Sequence, residues 1–296
     1  MMKSILIVED ERATGHLLGK VLKDDGYETT LVTDGEAALR KLREGDFDLM
    51  LLDIWMPGMS GLEVLAAMRA EKLGTKAIVM TSDGTPETVL RAVREQAYHY
   101  VNKPVKPQDL LKMVRDALAA SPIPPVEVIS ARPDWVELLL PCQLQAADRI
   151  HGLLAKLLSD LPDEVRENVG YVFIEMLRNA VEWGGGLDPN RKVRVTYVRA
   201  RRMVLYRIAD PGPGFKPEDL AHAAVSYPIE QVGESARVRS EMGLRPGGFG
   251  ILTARALVDE LIYNEAHNEV VFVKYLDESS KPVPASATPE SQAHGR

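Results

Sequence analysis

The stretch Tyr171–Gly184, YVFIEMLRNAVEWG, decides how the second half of the chain is read. Val172, Ile174, Met176, Leu177, Ala180 and Val181 recur at helical spacing and mark a buried helix face. Glu175 and Asn179 lie four residues apart, so their side chains leave that helix on one side, a turn apart. A carboxylate and an amide stacked in this way can hold a metal ion or orient a water. The bland alternative is that Glu175 pairs with a nearby arginine, Arg178 or Arg207.

Two later stretches add weight to the pair. Asp210-Pro-Gly-Pro-Gly-Phe215 follows the strand-like run MVLYRIA. Arg245-Pro-Gly-Gly-Phe-Gly-Ile251 opens a helical run expected to extend from Ile251 to Leu261. Glycines at such a place let backbone N–H groups close on a phosphate at a helix N-terminus. The order ExxxN, DxGxG, a long loop and GGFG resembles the GHKL ATPase fold, the group that includes histidine-kinase ATP domains and the anti-sigma serine kinases. That resemblance implies an α+β Bergerat-type domain, a mixed sheet covered by helices, that binds ATP. It implies that Asp210 accepts from the adenine amino group and that Gly212 and Gly214 shape the turn beside the base. Asn179 would coordinate phosphate-bound Mg²⁺, and Gly247, Gly248 and Gly250 would present donors to the phosphates. Glu175 would be the general base. The layout is most similar to the anti-sigma serine kinases, except that Ala180-Val-Glu182-Trp183 stands where a basic residue or histidine often follows the NA pair. Residues 216–246 occupy the place of that family's ATP lid.

Working outward toward the N-terminus, short apolar runs alternate with helical patterns. The expected strands are 4–8, 28–33, 49–53, 77–81 and 98–101, and the expected helices 12–24, 35–44, 61–70, 86–96 and 107–119. Five βα units in series imply a doubly wound parallel sheet. Ligands bind such sheets at the carboxyl ends of the strands. Glu9, Asp10, Asp53, Thr81 and Lys103 all fall there. Converging carboxylates repel one another unless a divalent cation joins them, and oxygen-only ligands suit Mg²⁺. The motifs VEDE, LDIWMPGMSG and YVNKP resemble a response-regulator receiver domain over residues 1–120. The resemblance makes Asp53 the phosphorylated aspartate, with Glu9, Asp10 and the Trp55 carbonyl as further Mg²⁺ ligands. Thr81 would be the switch hydroxyl, Lys103 the phosphoryl partner and Tyr100 the aromatic that moves with Thr81. Gln96 stands where that family usually has glycine.

Between these halves, three prolines in residues 120–127 read as an extended, semi-rigid linker short enough for the domains to touch. The expected organisation is a receiver at 1–120, a linker at 121–127, an ATP-binding domain at 128–276 and a disordered tail at 277–296. In the second domain, WVELLLPC reads as a strand, 144–158 and 164–182 as helices, and 191–209 as two strands around a turn. The strand EVVFVKYL, 269–276, ends the domain. His151 reads as a partly exposed helix histidine, since its neighbours are not those of a histidine-kinase dimerisation helix. Six of the twelve residues from Arg191 to Arg202 are basic, which reads as a solvated strand face or a docking patch for an acidic partner.

Composition bounds the rest. A chain of 296 residues with net charge −7 points to two domains and to no direct nucleic-acid partner. The single cysteine, Cys142, excludes an internal disulfide. No apolar run approaches membrane-spanning length, and the N-terminus turns acidic too soon for a signal peptide, so the cytoplasm is expected. The partners implied are a cognate sensor histidine kinase and a protein that is either phosphorylated or sequestered, of the anti-anti-sigma or sigma type; a homodimer stays open. Three functions remain: a phosphorylation-controlled Ser/Thr kinase, an ATP-dependent sequestering switch, and a histidine-kinase-like ATPase acting on a separate phosphoacceptor domain.

Overall fold

The computed structural model describes residues 2–82, 85–119, 124–215 and 250–277. The first domain is a five-stranded sheet in the order β2-β1-β3-β4-β5, all pairs parallel. Its strands are β1 (Ser4–Val8), β2 (Glu28–Val32), β3 (Leu49–Asp53), β4 (Lys76–Thr81) and β5 (His99–Asn102). Five helices alternate with them: α1 (Arg12–Asp24), α2 (Gly35–Glu44), α3 (Gly61–Ala70), α4 (Pro86–Arg94) and α5 (Pro107–Ala119). The central strand β3 is buried at every position, as its unbroken run LMLL requires of a sheet covered on both faces.

Local chemistry sets the helix starts. Asp34 caps α2 by accepting from the Ala37 N–H, and Ser60 and Glu63 form a capping box at α3. Thr85 caps α4, with Pro86 in the first turn. Gly61 must be glycine for a steric reason. A Cβ there would lie 2.1 Å from the Asp53 carbonyl oxygen, so α3 can begin against the end of β3 only without one.

The second domain is a six-stranded sheet in the order β10-β11-β9-β8-β7-β6. The strands are β6 (Glu127–Arg132), β7 (Trp135–Pro141), β8 (Lys192–Ala200), β9 (Met203–Ala209), β10 (Glu260–Tyr263) and β11 (Glu269–Tyr275). Every pair is antiparallel, where the family resemblance implied a mixed sheet. Burial alternates strictly along β9, so one face carries the core and the other faces outward. Helices α6 (Leu144–Leu154), α7 (Asp163–Asn179) and α8 (Gly250–Leu257) accompany the sheet. Phe173 of α7 packs at a tilt on Tyr206, with ring centroids 4.7 Å apart, and Tyr206 meets Phe272 at 5.1 Å and Tyr197 at 5.2 Å. This aromatic column joins α7 to three strands and fixes the face that α7 turns outward.

Several boundaries depart from the sequence expectation. Strand β6 was not foreseen; it pairs with β7 through a bulge and absorbs Glu127 from the expected linker. The helix expected to reach Leu261 ends at Leu257, because Glu260–Tyr263 pairs with β11 instead. The helix expected to end at residue 158 passes into a 3₁₀ turn at Ala155–Leu158, and α7 passes into a π turn at Ala180–Gly184. The expected lid, 216–246, and residues 278–296 of the expected tail lie outside the described residues.

Substituting Gly61→Ala is expected to cost about 1–3 kcal/mol of receiver stability, the usual penalty for overpacking. Gly45→Ala, with no atom within 4 Å of its added Cβ, is expected to stay within about 0.5 kcal/mol in denaturant titrations.

Candidate functional sites: a carboxylate cluster and a nucleotide cleft

The parallel sheet delivers its polar residues to one edge. Glu9 follows β1 and Asp53 ends β3; both are buried, while Asp10 is exposed. One ligand oxygen from each lies within 4.8 Å of the others. Lys103, just after β5, donates to Glu9 Oε2 and to Asp53 Oδ2, both at 2.7 Å. Burial raises the Glu9 pKa, partly opposed by its bond to Lys103. Burial also opposes the charge of Lys103, yet its bonds to Asp53 and Glu9 prevail and hold its pKa above the ordinary value. Three carboxylates and one ammonium leave a formal surplus of two negative charges. An all-oxygen set with that surplus fits a hard divalent cation.

The other expected receiver residues surround this cluster. Trp55 donates its backbone N–H to Asp53 Oδ1 at 3.3 Å, which keeps its main chain at the cluster while its indole is exposed. Thr81 ends β4 and is fully buried, and its carbonyl accepts from the Lys103 N–H at 2.7 Å. Tyr100 is buried in β5. The ends of four strands, β1, β3, β4 and β5, thus carry Glu9, Asp10, Asp53, Thr81 and Lys103.

The second site lies between α7, the end of β9 and the start of α8. Asp210 directly follows β9, donates its N–H to the Asn268 carbonyl at 2.9 Å and accepts from the Gly212 N–H at 2.7 Å. Burial raises its pKa, against the Gly212 bond and Arg191. Gly184, closing the π turn, lets α7 approach so closely that a Cβ there would lie 2.1 Å from Asp210 Cγ. Gly214, at φ +83°, sits where a Cβ would strike the Ala266 carbonyl. A Cβ at Gly212 would lie 2.7 Å from the Gly184 carbonyl oxygen, so both glycines of the DxGxG turn are required by close backbone approach.

Glu175 and Asn179 are half-buried on α7. The carboxylate of Glu175 lies against the first residue of α8, with Oε1 2.6 Å from where a Gly250 Cβ would sit. The positive end of that helix favours a carboxylate there. Neither arginine expected as a bland partner takes it. Arg178 bonds Asp148 at 2.7 Å, and Arg207 forms a two-bond pair with Glu269 at 2.7 Å. Glu175 is also less buried than the apolar helix pattern implied. Gly247 and Gly248 lie outside the described residues.

Some contributors were not singled out from sequence. Arg191 ties the two turns by donating to the Pro211 carbonyl at 2.6 Å and to the Gly185 carbonyl at 3.4 Å. Asn268 donates to the Gly212 carbonyl at 3.0 Å. Phe215, Tyr263 and His267 pack together beside the DxGxG turn at 5.0–5.7 Å. The basic run 191–202 hid Arg191, and only the antiparallel return of β11 brings Asn268 to Gly212. Cys142 lies behind Gly185, and burial pushes its thiol pKa up to about 11, so it is an inert core group.

Comparison with known proteins agrees with this division. Residues 5–115 match the response regulator receiver domain, and residues 140–274 match the histidine kinase-like ATPase domain. The chain carries both domains. It is 35% identical over 130 residues to the DNA-binding response regulator MtrA of Mycolicibacterium smegmatis, covering 44% of this chain and 57% of that relative. The chain therefore spans little more than half the length of that relative. It is 29% identical over 220 residues to the transcriptional regulatory protein TcrA of Mycobacterium tuberculosis, covering 67% of this chain and 87% of the relative. Among solved structures, the chemotaxis protein CheY4 of Vibrio cholerae matches with 30% identity and a TM-score of 0.39, covering 40% of this chain and all of that one.

A divalent cation should raise the receiver's thermal midpoint in the wild type. Asp10→Asn removes an exposed charge from the cluster, so the fold should persist while Mg²⁺ affinity falls at least roughly tenfold, about 1.4 kcal/mol. Calorimetric Mg²⁺ titration of both proteins checks this.

Proposed function

We propose that this chain is a two-component response regulator in which phosphorylation of Asp53 controls an ATP-dependent, anti-sigma-type Ser/Thr protein kinase domain. The observation that carries the reading is the presence, in one chain, of the Glu9/Asp10/Asp53/Lys103 cluster and of a second domain in which Glu175 and Asn179 lie one turn apart on α7 while Gly184, just beyond it, closes on Asp210. In the receiver, an Asp53 oxygen attacks a phosphoryl group from a cognate sensor histidine kinase. The bond to the donor breaks, and Lys103 balances the negative charge on the new acyl phosphate. Mg²⁺ held by Glu9, Asp10, Asp53 and the Trp55 carbonyl would supply further charge neutralisation. Thr81 and Tyr100 then adjust to the modified aspartate.

In the second domain, Asp210 accepts a hydrogen bond from the adenine amino group. Asn179 contributes to a Mg²⁺ site at the phosphates, and Gly247, Gly248 and Gly250 offer backbone donors. Glu175 takes the proton of a substrate serine or threonine hydroxyl as its oxygen bonds the γ-phosphorus and the bond to the β-phosphate oxygen breaks. The partner is a protein of the anti-anti-sigma or sigma type, and the compartment is the cytoplasm. DNA binding belongs to the names of the relatives; the net charge of −7 here supports a protein partner.

One observation favours a second reading. The Glu175 carboxylate lies against the start of α8, where it can serve simply to hold that helix. The domain would then bind ATP and sequester its partner without phosphoryl transfer.

Asp53→Asn should abolish Mg²⁺-dependent labelling by acetyl phosphate. Asp210→Asn should weaken ATP binding by roughly 1.5–3 kcal/mol, the value of a hydrogen bond to a charged group. Glu175→Gln should cut turnover by about 10²–10⁴-fold with ATP affinity nearly unchanged. Wild-type protein that transfers no phosphoryl group in either phosphorylation state would sink the kinase reading and leave sequestration in its place.

A further inference from the structure

The two domains touch at one corner of the receiver, the turn between α4 and β5, and the contact there is polar as well as apolar. Helix α4 packs on β6 and on the 3₁₀ turn 155–158, and β5 packs on α6. Val93, Ala97 and Tyr100 of the receiver belong to one continuous buried cluster with Val126, Ile150 and Leu157. Three receiver residues in a row are then held by the second domain or the chain leading into it. Gln96 donates its amide to the Val126 carbonyl at 2.7 Å. The Ala97 carbonyl accepts from Arg149 Nη2 of α6 at 2.6 Å. The Tyr98 ring lies 5.8 Å from the Arg149 guanidinium.

Two geometric features set this contact apart. Gln96 has φ +63°, a conformation that glycine adopts freely and other residues adopt at a cost. A glutamine there forgoes the relaxed residue, and its side chain is spent on the linker carbonyl. Arg149 is half-buried, but its Nε is enclosed and has no hydrogen-bond partner among the described residues. A partly enclosed guanidinium held by one carbonyl and one ring loses its hydrogen bond when that carbonyl moves.

We infer that Gln96 and Arg149 form an interdomain latch on the α4–β5 turn, and that modification of Asp53 is read by the ATP-binding domain as release of this latch. Lys103 follows directly on β5 and bonds Asp53, while its N–H holds the Thr81 carbonyl. An acyl phosphate carries its charged oxygens beyond the carboxylate it replaces, and Lys103 follows them. The strand that moves with Lys103 is the one whose opposite end positions Ala97. The docked arrangement tolerates little displacement, because a shifted Ala97 carbonyl breaks the hydrogen bond of Arg149 while its Nε stays enclosed. The contact is therefore two-state: docked and bonded, or separated with Arg149 hydrated. This inference rests on the receiver part of the proposed function and not on the kinase part.

The test is hydrogen exchange on the full chain, following amides of 124–128 and 149–158, with Mg²⁺ and beryllium fluoride as the acyl-phosphate mimic. Fluorine NMR reports whether the mimic is bound. Gln96→Gly suits the backbone at φ +63°, so it removes the latch bond while leaving the receiver folded. The wild type should lose roughly tenfold protection in both segments when the mimic binds. Gln96→Gly without the mimic should lose about three- to tenfold, as expected for one net hydrogen bond. Arg149→Ala should lose more than tenfold, and Asp53→Asn should not respond to the mimic. Bound mimic with unchanged or increased protection overturns the latch and leaves the receiver reading standing. Failure of the mimic to bind the wild type overturns the receiver reading and the latch with it. Protection in Gln96→Gly equal to wild type removes Gln96 from the latch and overturns the proposal as stated.

Discussion

The ammonium of Lys103 lying 2.7 Å from both Glu9 and Asp53 is the interaction on which the receiver's chemistry depends. Two buried carboxylates side by side would each pay desolvation and repel the other. Lys103 joins them at the junction of three strand ends: β1, β3 and β5. It also ties β5 to β4 through the Thr81 carbonyl. A change of charge on Asp53 is thereby a change in the forces on β5, before any larger movement is invoked. The same strand supplies Tyr100 to the core and begins two residues after Ala97, which the second domain holds.

In the second domain the corresponding constraint is closeness rather than charge. Gly184, Gly212 and Gly214 permit backbone approaches that no side chain would allow, and these approaches fix Asp210 against the end of α7. Arg191 and Asn268 then clamp the carbonyls of the two turns. The aromatic column Phe173–Tyr206–Phe272 seats Phe173 of α7 on the sheet, while Glu175 and Asn179 stay half-buried on the same helix.

Much of this was legible in the sequence because the signals were local. Strands β1 and β3 are unbroken apolar runs, and the acidic residues follow them directly, so the strand-end cluster could be placed from order alone. The ExxxN pair and the DxGxG turn were readable for the same reason. What escaped depended on pairing across the chain. Glu260–Tyr263 continues a helical pattern in sequence and becomes a strand only because β11 offers it a partner. Strand β6 is short and bulged, with its hydrophobic signal divided between two faces. Glu175 read as a buried acid on an apolar helix, whereas it is half-buried at the start of α8, a neighbour seventy-five residues away in the chain. Gln96 read as a departure from a glycine pattern; its reason appears only when Val126 is seen beside it.

The central claim is that the state of Asp53 and the occupancy of the ATP cleft belong to one equilibrium. Linkage makes such coupling reciprocal, and couplings of this kind typically amount to about 1–3 kcal/mol, or roughly 5–150-fold in affinity. The most direct measurement is calorimetric titration of the full chain with ATP, in the presence of Mg²⁺, with and without beryllium fluoride bound at Asp53. The account predicts an ATP dissociation constant that differs by at least about fivefold between the two states, with the difference abolished by Asp53→Asn. Equal dissociation constants with the mimic bound would contradict it.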